Sequence, residues 1–257
     1  MRGVWGLRAA GLAVFLVAWE LIARSGLVAG SVLPSVDEVV MAVPDVTGQR
    51  DFSRDLFASL YEIVIGTGIG ALVALPLGAV MGSTDYLYRL VDPLLYYFGA
   101  VPKIVLLPLL VLFVGTGIES KVGIAAVSAA FPIAVSTALA FRELRPIFVS
   151  AARTLGASRR QQYQYVYIPS LLGPLLSGVR LGLGVAITAA LLGETKVADV
   201  GLGFRAIEYY SRLEIAEMYA LLMLVFAGAS AINLGLSALI RRVTHYQRQA
   251  VTAGGVA

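Results

Sequence analysis

Long apolar stretches alternate with short charged connections along most of this chain. Ile63 to Thr84, Val122 to Phe141 and Met218 to Ile240 carry no charged residue. As helices, each is long enough to cross the roughly 30 Å hydrocarbon core of a bilayer. A fourth stretch, about Pro93 to Gly117, is broken only by Lys103, and a fifth, about Gly173 to Gly193, only by Arg180. The first, about Leu7 to Ile22, is crowded at its end by Glu20 and Arg24. Its basic start and short apolar core also fit a signal peptide, but no small-x-small cleavage site follows, so a retained helix is expected. An open sheet edge would leave backbone groups unpaired in lipid, so every span is expected to be helical. The pattern predicts an all-α integral membrane protein, a single domain over 1–257. About six spans are expected, near 7–24, 60–83, 93–115, 121–141, 171–193 and 216–240, with a polar loop over 142–170. The mixed segment Ser25 to Leu56 reads as an external connection with a short surface helix over about Ser35 to Val43.

Composition narrows the class further. The residues are 58% hydrophobic and 14% charged, against about 45–50% and about 25% in soluble domains. A mean hydropathy of +0.83 places the chain in lipid. There is no Cys, hence no disulfide framework and no thiolate metal site. The only His, His245, follows Arg241 and Arg242 in the tail, which gives no support to a metal or His-based catalytic centre. The net charge of +4 does not point to nucleic acid, because the charges flank apolar segments. Arg2, Arg8, Arg89, Arg142, Arg145, Arg153, Arg159, Arg160, Arg241, Arg242 and Arg248 fall on one face of the six-span arrangement and outnumber the basic residues of the other. The basic excess predicts both termini and the 142–170 loop on the cytoplasmic side.

That loop has its own pattern. Pro146 suits the first turn of a helix, where its missing N–H is no loss. Ile147, Phe148, Ala151, Ala152 and Leu155 then recur at helical spacing on one face. Gly156 is placed to end the helix in a left-handed conformation. Ser158 can cap a second helix through Arg159 and Arg160, which Pro169 bends into the membrane. An amphipathic helix on anionic lipid is one reading. The small Ala151–Ala152 pair suits a groove in another protein better, since small side chains permit close contact.

The run Ser150-Ala151-Ala152-Arg153-Thr154-Leu155-Gly156, then nine residues, then Val166-Tyr167-Ile168-Pro169, keeps the spacing of an E-A-A-x-x-x-G-x9-I-x-L-P signature, with Ser150 at the acidic position. It resembles the coupling loop of permease subunits of binding-protein-dependent ABC importers. Leu33-Pro34-Ser35, Pro76-Leu77-Gly78, Val101-Pro102-Lys103-Ile104, Leu107-Pro108-Leu109, Phe131-Pro132-Ile133, Gly178-Val179-Arg180-Leu181-Gly182 and Gly201-Leu202-Gly203-Phe204 are similar to the nitrate, sulfonate and taurine subgroup. Glu62, where a basic residue is common after Ser59-Leu60, and Gly193 in place of Ala before Glu194 depart from that subgroup. The resemblance implies a type I importer permease fold in a bacterial plasma (inner) membrane. It implies a second permease copy, two ATP-binding cassette subunits and an extracytoplasmic solute-binding protein as partners. It further implies ATPase coupling through Ile147, Phe148, Ser150, Ala151, Ala152, Arg153, Leu155, Gly156 and Pro169. The solute implied is a small anion or zwitterion.

No G-x-x-x-x-G-K-[ST] loop occurs, so ATP and Mg are expected on the partner and no cofactor on this chain. Ionisable groups in spans are costly and functional by default. Glu62, Lys103, Arg180 and Glu194 are therefore candidates for the translocation pathway, with Glu194 and Lys196 read as a solvated pair at the outer mouth. The competing reading is a proton-driven secondary transporter that uses Glu20, Glu62 and Glu194 as a relay. Such carriers show internal repeats with interrupted helices, and no repeat is evident. A membrane enzyme would need a cluster of nucleophile, base or metal ligands, and none is seen.

Overall fold

The computed structural model describes residues 2–30, 32–144 and 146–253, with side chains outside the description at 2–5, 8, 9, 96, 100, 146 and 243–253. Arg145 and Ala257 therefore lie outside the described residues, as do the side chains of Arg2, Arg8, His245 and Arg248. Every described element is helical: α1 (Arg2–Arg24), α2 (Val36–Gly48), α3 (Phe52–Ser83), α4 (Asp85–Ala100), a 3-10 turn (Lys103–Leu106), α5 (Leu107–Val114), α6 (Ile118–Arg142), α7 (Pro146–Thr154), α8 (Arg159–Gln162), a π-helical segment (Tyr163–Tyr167), α9 (Ile168–Val197), α10 (Leu202–Ser211) and α11 (Ile215–Ala253). Among the described residues four helices are long and apolar enough to cross a membrane: Phe52–Ser83, Ile118–Arg142, Arg159–Val197 and Ile215–Arg242. A fifth candidate is bent. Asp85–Gly99 and Lys103–Val114 meet at 88°, where the sequence predicts one span near 93–115. Pro102 explains the break. It has no N–H to continue the helix and disfavours the helical region for Val101, which is extended at φ −69°, ψ 129°.

The chain divides into two compact units, one of 1–58 with 194–228, the other of 59–193 with 229–257. In the second, α6 is sandwiched by α3 and α9 at backbone distance. A Cβ added at Gly70 of α3 would stand 2.6 Å from the Ala126 carbonyl, and one at Gly182 of α9 would stand 2.7 Å from the Ile133 side chain. The buried cluster is small-sided accordingly: Ile63, Ala74, Ala125, Ala129, Ile133, Ala134, Ala186 and Ala190. Lipid supplies no hydrophobic drive for helix association, so close van der Waals approach through small residues has to do it.

In the first unit, Trp19 of α1 donates its Nε1–H to the Pro34 carbonyl at 2.9 Å, and its ring meets Tyr219 of α11 edge-on at 5.8 Å. Glu20 accepts the Val36 amide at 2.9 Å, and the Glu38 side chain accepts the Ser35 amide at 2.9 Å. These contacts use up amide donors that the start of α2 leaves open. The α2 helix runs on through Pro44 to Gly48, beyond the predicted Val43.

Candidate functional site

The short helix α7 has the ends its sequence predicts. Gly156 takes φ +75°, its amide donates to the Arg153 carbonyl at 2.9 Å, and the Ala157 amide donates to Ala152 at 3.0 Å. This left-handed turn satisfies carbonyls that a helix end leaves open. Ser158 then caps α8: its Oγ accepts the Gln161 amide at 3.3 Å, while its own amide donates to Gln161 Oε1 at 2.8 Å. Further on, the Ile168 amide donates to the Tyr163 carbonyl in a π turn just before Pro169. Pro169 has no amide with which to continue an α ladder, which accounts for the irregularity there.

Burial sorts the face of α7. Val149 is buried and Ala152 half-buried, so these two turn inward. Ile147 is 68% exposed, Leu155 85%, and Ala151 lies exposed between them. The sequence places Ala152 on the same face as Ile147, Ala151 and Leu155. In the structure it shares the inner side with Val149, a residue the motif reading does not single out. Ser150 and Arg153 are exposed. Phe148 is half-exposed and lines a cavity of about 210 Å³ with Ala140, Glu143, Leu144, Ser170 and Pro174.

The predicted charges occupy separate environments. Glu62 is 0% exposed and lies 3.9 Å from Lys121 Nζ, which also donates to the Thr116 carbonyl at 3.2 Å. The sequence does not mark Lys121 as the partner, because it stands at the edge of its apolar run. Lys103 donates to the Gly99 carbonyl and lies 4.7 Å from the Phe131 ring centre. Arg180 donates through Nε to Asn233 Oδ1 of α11.

Glu194 departs from the expected solvated pair. It is 1% exposed, and its carboxylate accepts the Gly203 amide at 2.6 Å, while Lys196 is exposed. Burial next to the 198–203 turn removes it from water. Asp55, 0% exposed, accepts the Gly201 amide at 3.2 Å and both Arg205 Nε and Nη2, at 2.8 and 2.6 Å. Arg205 also donates to Glu208 at 2.9 Å. Burial works against the Arg205 charge, but its hydrogen bond to Asp55 and the neighbouring negative charges outweigh that and hold its pKa above the ordinary value. Neither Asp55 nor Arg205 stands out in the sequence, since both belong to charged connections. Among the described residues no group of three or more His, Asp or Glu side chains forms a metal site.

Membrane-crossing helices, a capped loop helix with an exposed apolar face and buried charge pairs describe a multi-pass membrane protein. The profile of the family described as "binding-protein-dependent transport system inner membrane component" matches residues 66–249. The chain belongs to that family, the permeases of binding-protein-dependent ABC importers. It is 30% identical over 238 residues to the taurine transport system permease protein TauC of Escherichia coli (strain K12), covering 91% of this chain and 86% of that one. It is 25% identical over 229 residues to the nitrate import permease protein NrtB of Synechocystis sp. (strain ATCC 27184 / PCC 6803 / Kazusa), covering 86% and 82%. The fold is similar to a chain of the MetNI methionine ABC transporter in an inward-facing crystal form, with a TM-score of 0.64 at 24% identity over 75% of this chain and 95% of that one. The chain is thus an inner-membrane, multi-pass importer permease of the taurine, nitrate and sulfonate type, and its relatives are transport permeases rather than enzymes.

Proposed function

We propose that this chain forms the translocation pathway for a small anion or zwitterion, such as a sulfonate, taurine or nitrate. It couples to a separate ATPase through α7, which presents Ile147, Ala151 and Leu155. ATP and Mg are bound by that partner. A second copy of the chain completes the pathway, two ATPase subunits lie on the cytoplasmic side, and an extracytoplasmic binding protein delivers the solute. Both termini and α7 are cytoplasmic. The observation that carries this reading is the exposed apolar face of a helix closed at its C-terminal end by Gly156. Ile147 at 68% and Leu155 at 85% exposure, with Ala151 between them, make a continuous apolar patch of the kind a protein groove would cover. The proton-relay alternative draws no support, because Glu20 binds the start of α2, Glu62 lies beside Lys121 and Glu194 holds the 198–203 turn.

Purified chain alone should hydrolyse no ATP, and hydrolysis should appear on addition of the cognate nucleotide-binding subunit. Contaminant-free hydrolysis by the isolated chain overturns the assignment.

A further inference from the structure

The exposed surface of α9 divides into two sectors. Leu181, Val185 and Leu192 form an apolar one suited to acyl chains. Ser177, Arg180, Gly184 and Thr188, exposed and spaced three or four residues apart, form a polar one beside it. The polar sector runs through a membrane-crossing helix, and Gly182, two residues from Arg180, packs on Ile133 near the middle of α6. A guanidinium at that depth is not tolerated against lipid and faces water, a partner or a ligand.

Its own partners leave it incomplete. Asn233 Oδ1 takes the Nε–H, and among the described residues no carboxylate pairs with Arg180. An amide at Nε fixes the plane of the side chain without cancelling its charge. The two terminal amino groups remain as a fork, the geometry that receives a planar or tetrahedral oxyanion through two parallel hydrogen bonds. Lys103 differs in geometry: its ammonium, held at the Gly99 carbonyl and over the Phe131 ring, is a point charge without the planar fork.

We propose that Arg180, oriented by Asn233, is the oxyanion contact of the translocation pathway, and that Ser177, Gly184 and Thr188 line the aqueous sector leading along it. The ligand class is a sulfonate, nitrate or carboxylate. This rests on the permease reading above, but its test is independent of ATPase coupling.

The absence of Cys from the chain permits a direct test. Gly184→Cys is placed in the full-length chain, where an added Cβ meets nothing within 4 Å. Membrane vesicles are treated with 2-sulfonatoethyl methanethiosulfonate, an anion that is itself a sulfonate, and with the cationic 2-(trimethylammonio)ethyl reagent. The introduced thiol should react with both. The anionic-to-cationic rate ratio should fall about fivefold or more on adding Arg180→Gln, as expected for one charge a few ångström away in a partly hydrated site. Arg180→Lys should keep part of the preference. Asn233→Asp should lose it, because a carboxylate then neutralises the guanidinium. Thr188→Cys, one turn along, serves as a second reporter if the glycine variant inserts poorly. A thiol inert at both positions means that the sector faces lipid or protein and overturns the proposal. A reactive thiol whose ratio ignores Arg180→Gln makes Arg180 a structural bridge to Asn233, which also overturns it. Loss of ATPase association would leave the ratio unchanged, so failure of the coupling assignment is told apart from failure of this one.

Discussion

A charge buried in a membrane protein is stable only if its partner reaches it, and Asp55 shows how fully that condition is met. It receives two nitrogens of Arg205 and the Gly201 amide, from residues about 150 positions away. Removing one member leaves the other buried and uncompensated, which costs about 3–5 kcal/mol. Arg205→Met should therefore lower the thermal midpoint of the detergent-solubilised protein sharply, whereas Asp55→Leu combined with Arg205→Met should recover much of the loss. A double variant no more stable than the single one would show that the two groups do not compensate each other. Lys121→Met should behave alike toward Glu62. At this scale the sequence marks which groups are costly but not who meets them. Glu62 is recognisable as an acid beside an apolar run, while Lys121 looks like an ordinary residue at the edge of a span. Pairing of this kind depends on how α3 approaches α6, and no local pattern encodes that approach.

The approach itself is an affair of whole helices. Along α3, Gly70 faces the Ala126 backbone, whereas Gly68 has nothing within 4 Å of an added Cβ. Gly70→Val should cost about 1–3 kcal/mol by forcing the helices apart, and Gly68→Val should be close to neutral. Thermal unfolding of the two variants side by side checks this, and equal midpoints would remove the close-packing explanation. The spans are rich in glycine, which favours close helix approach, but the sequence does not mark which glycines face a neighbour. The loop helix was more legible still. Its Gly156 end and Ser158 cap are local interactions within a few residues, and the observed φ of +75° and the Ser158–Gln161 exchange follow from residue type. The 88° bend at Pro102 was not legible in degree. A proline removes one hydrogen bond and biases its predecessor, but the angle that follows is set by what the two halves pack against.

At the scale of the whole importer, the proposed coupling role requires α7 to transmit force without holding the permease together, and its exposed and inner sides would separate those duties. Ala151 is exposed between Ile147 and Leu155, while Ala152 is half-buried next to buried Val149. Ala151→Trp therefore adds volume on the exposed side alone, where the proposed docking takes place. The spans should still insert, so membrane abundance and thermal midpoint should match the parent, while ATPase co-purification and solute uptake collapse. Extra volume in a close-packed contact costs about 1–3 kcal/mol, enough to weaken association by roughly 5- to 150-fold. Gly156→Arg should act similarly on coupling and add backbone strain of about 1–2 kcal/mol, because a side chain bearing Cβ is disfavoured at positive φ. Ala152→Trp should differ in kind, destabilising the permease itself because the ring must enter its inner side. Arg153→Ala, whose side chain points away from the Ile147–Leu155 stripe, should be mild on every readout. The four variants thus yield a pattern rather than one loss. If Ala151→Trp retained ATPase association and uptake at normal abundance, the docking face would lie elsewhere on the loop.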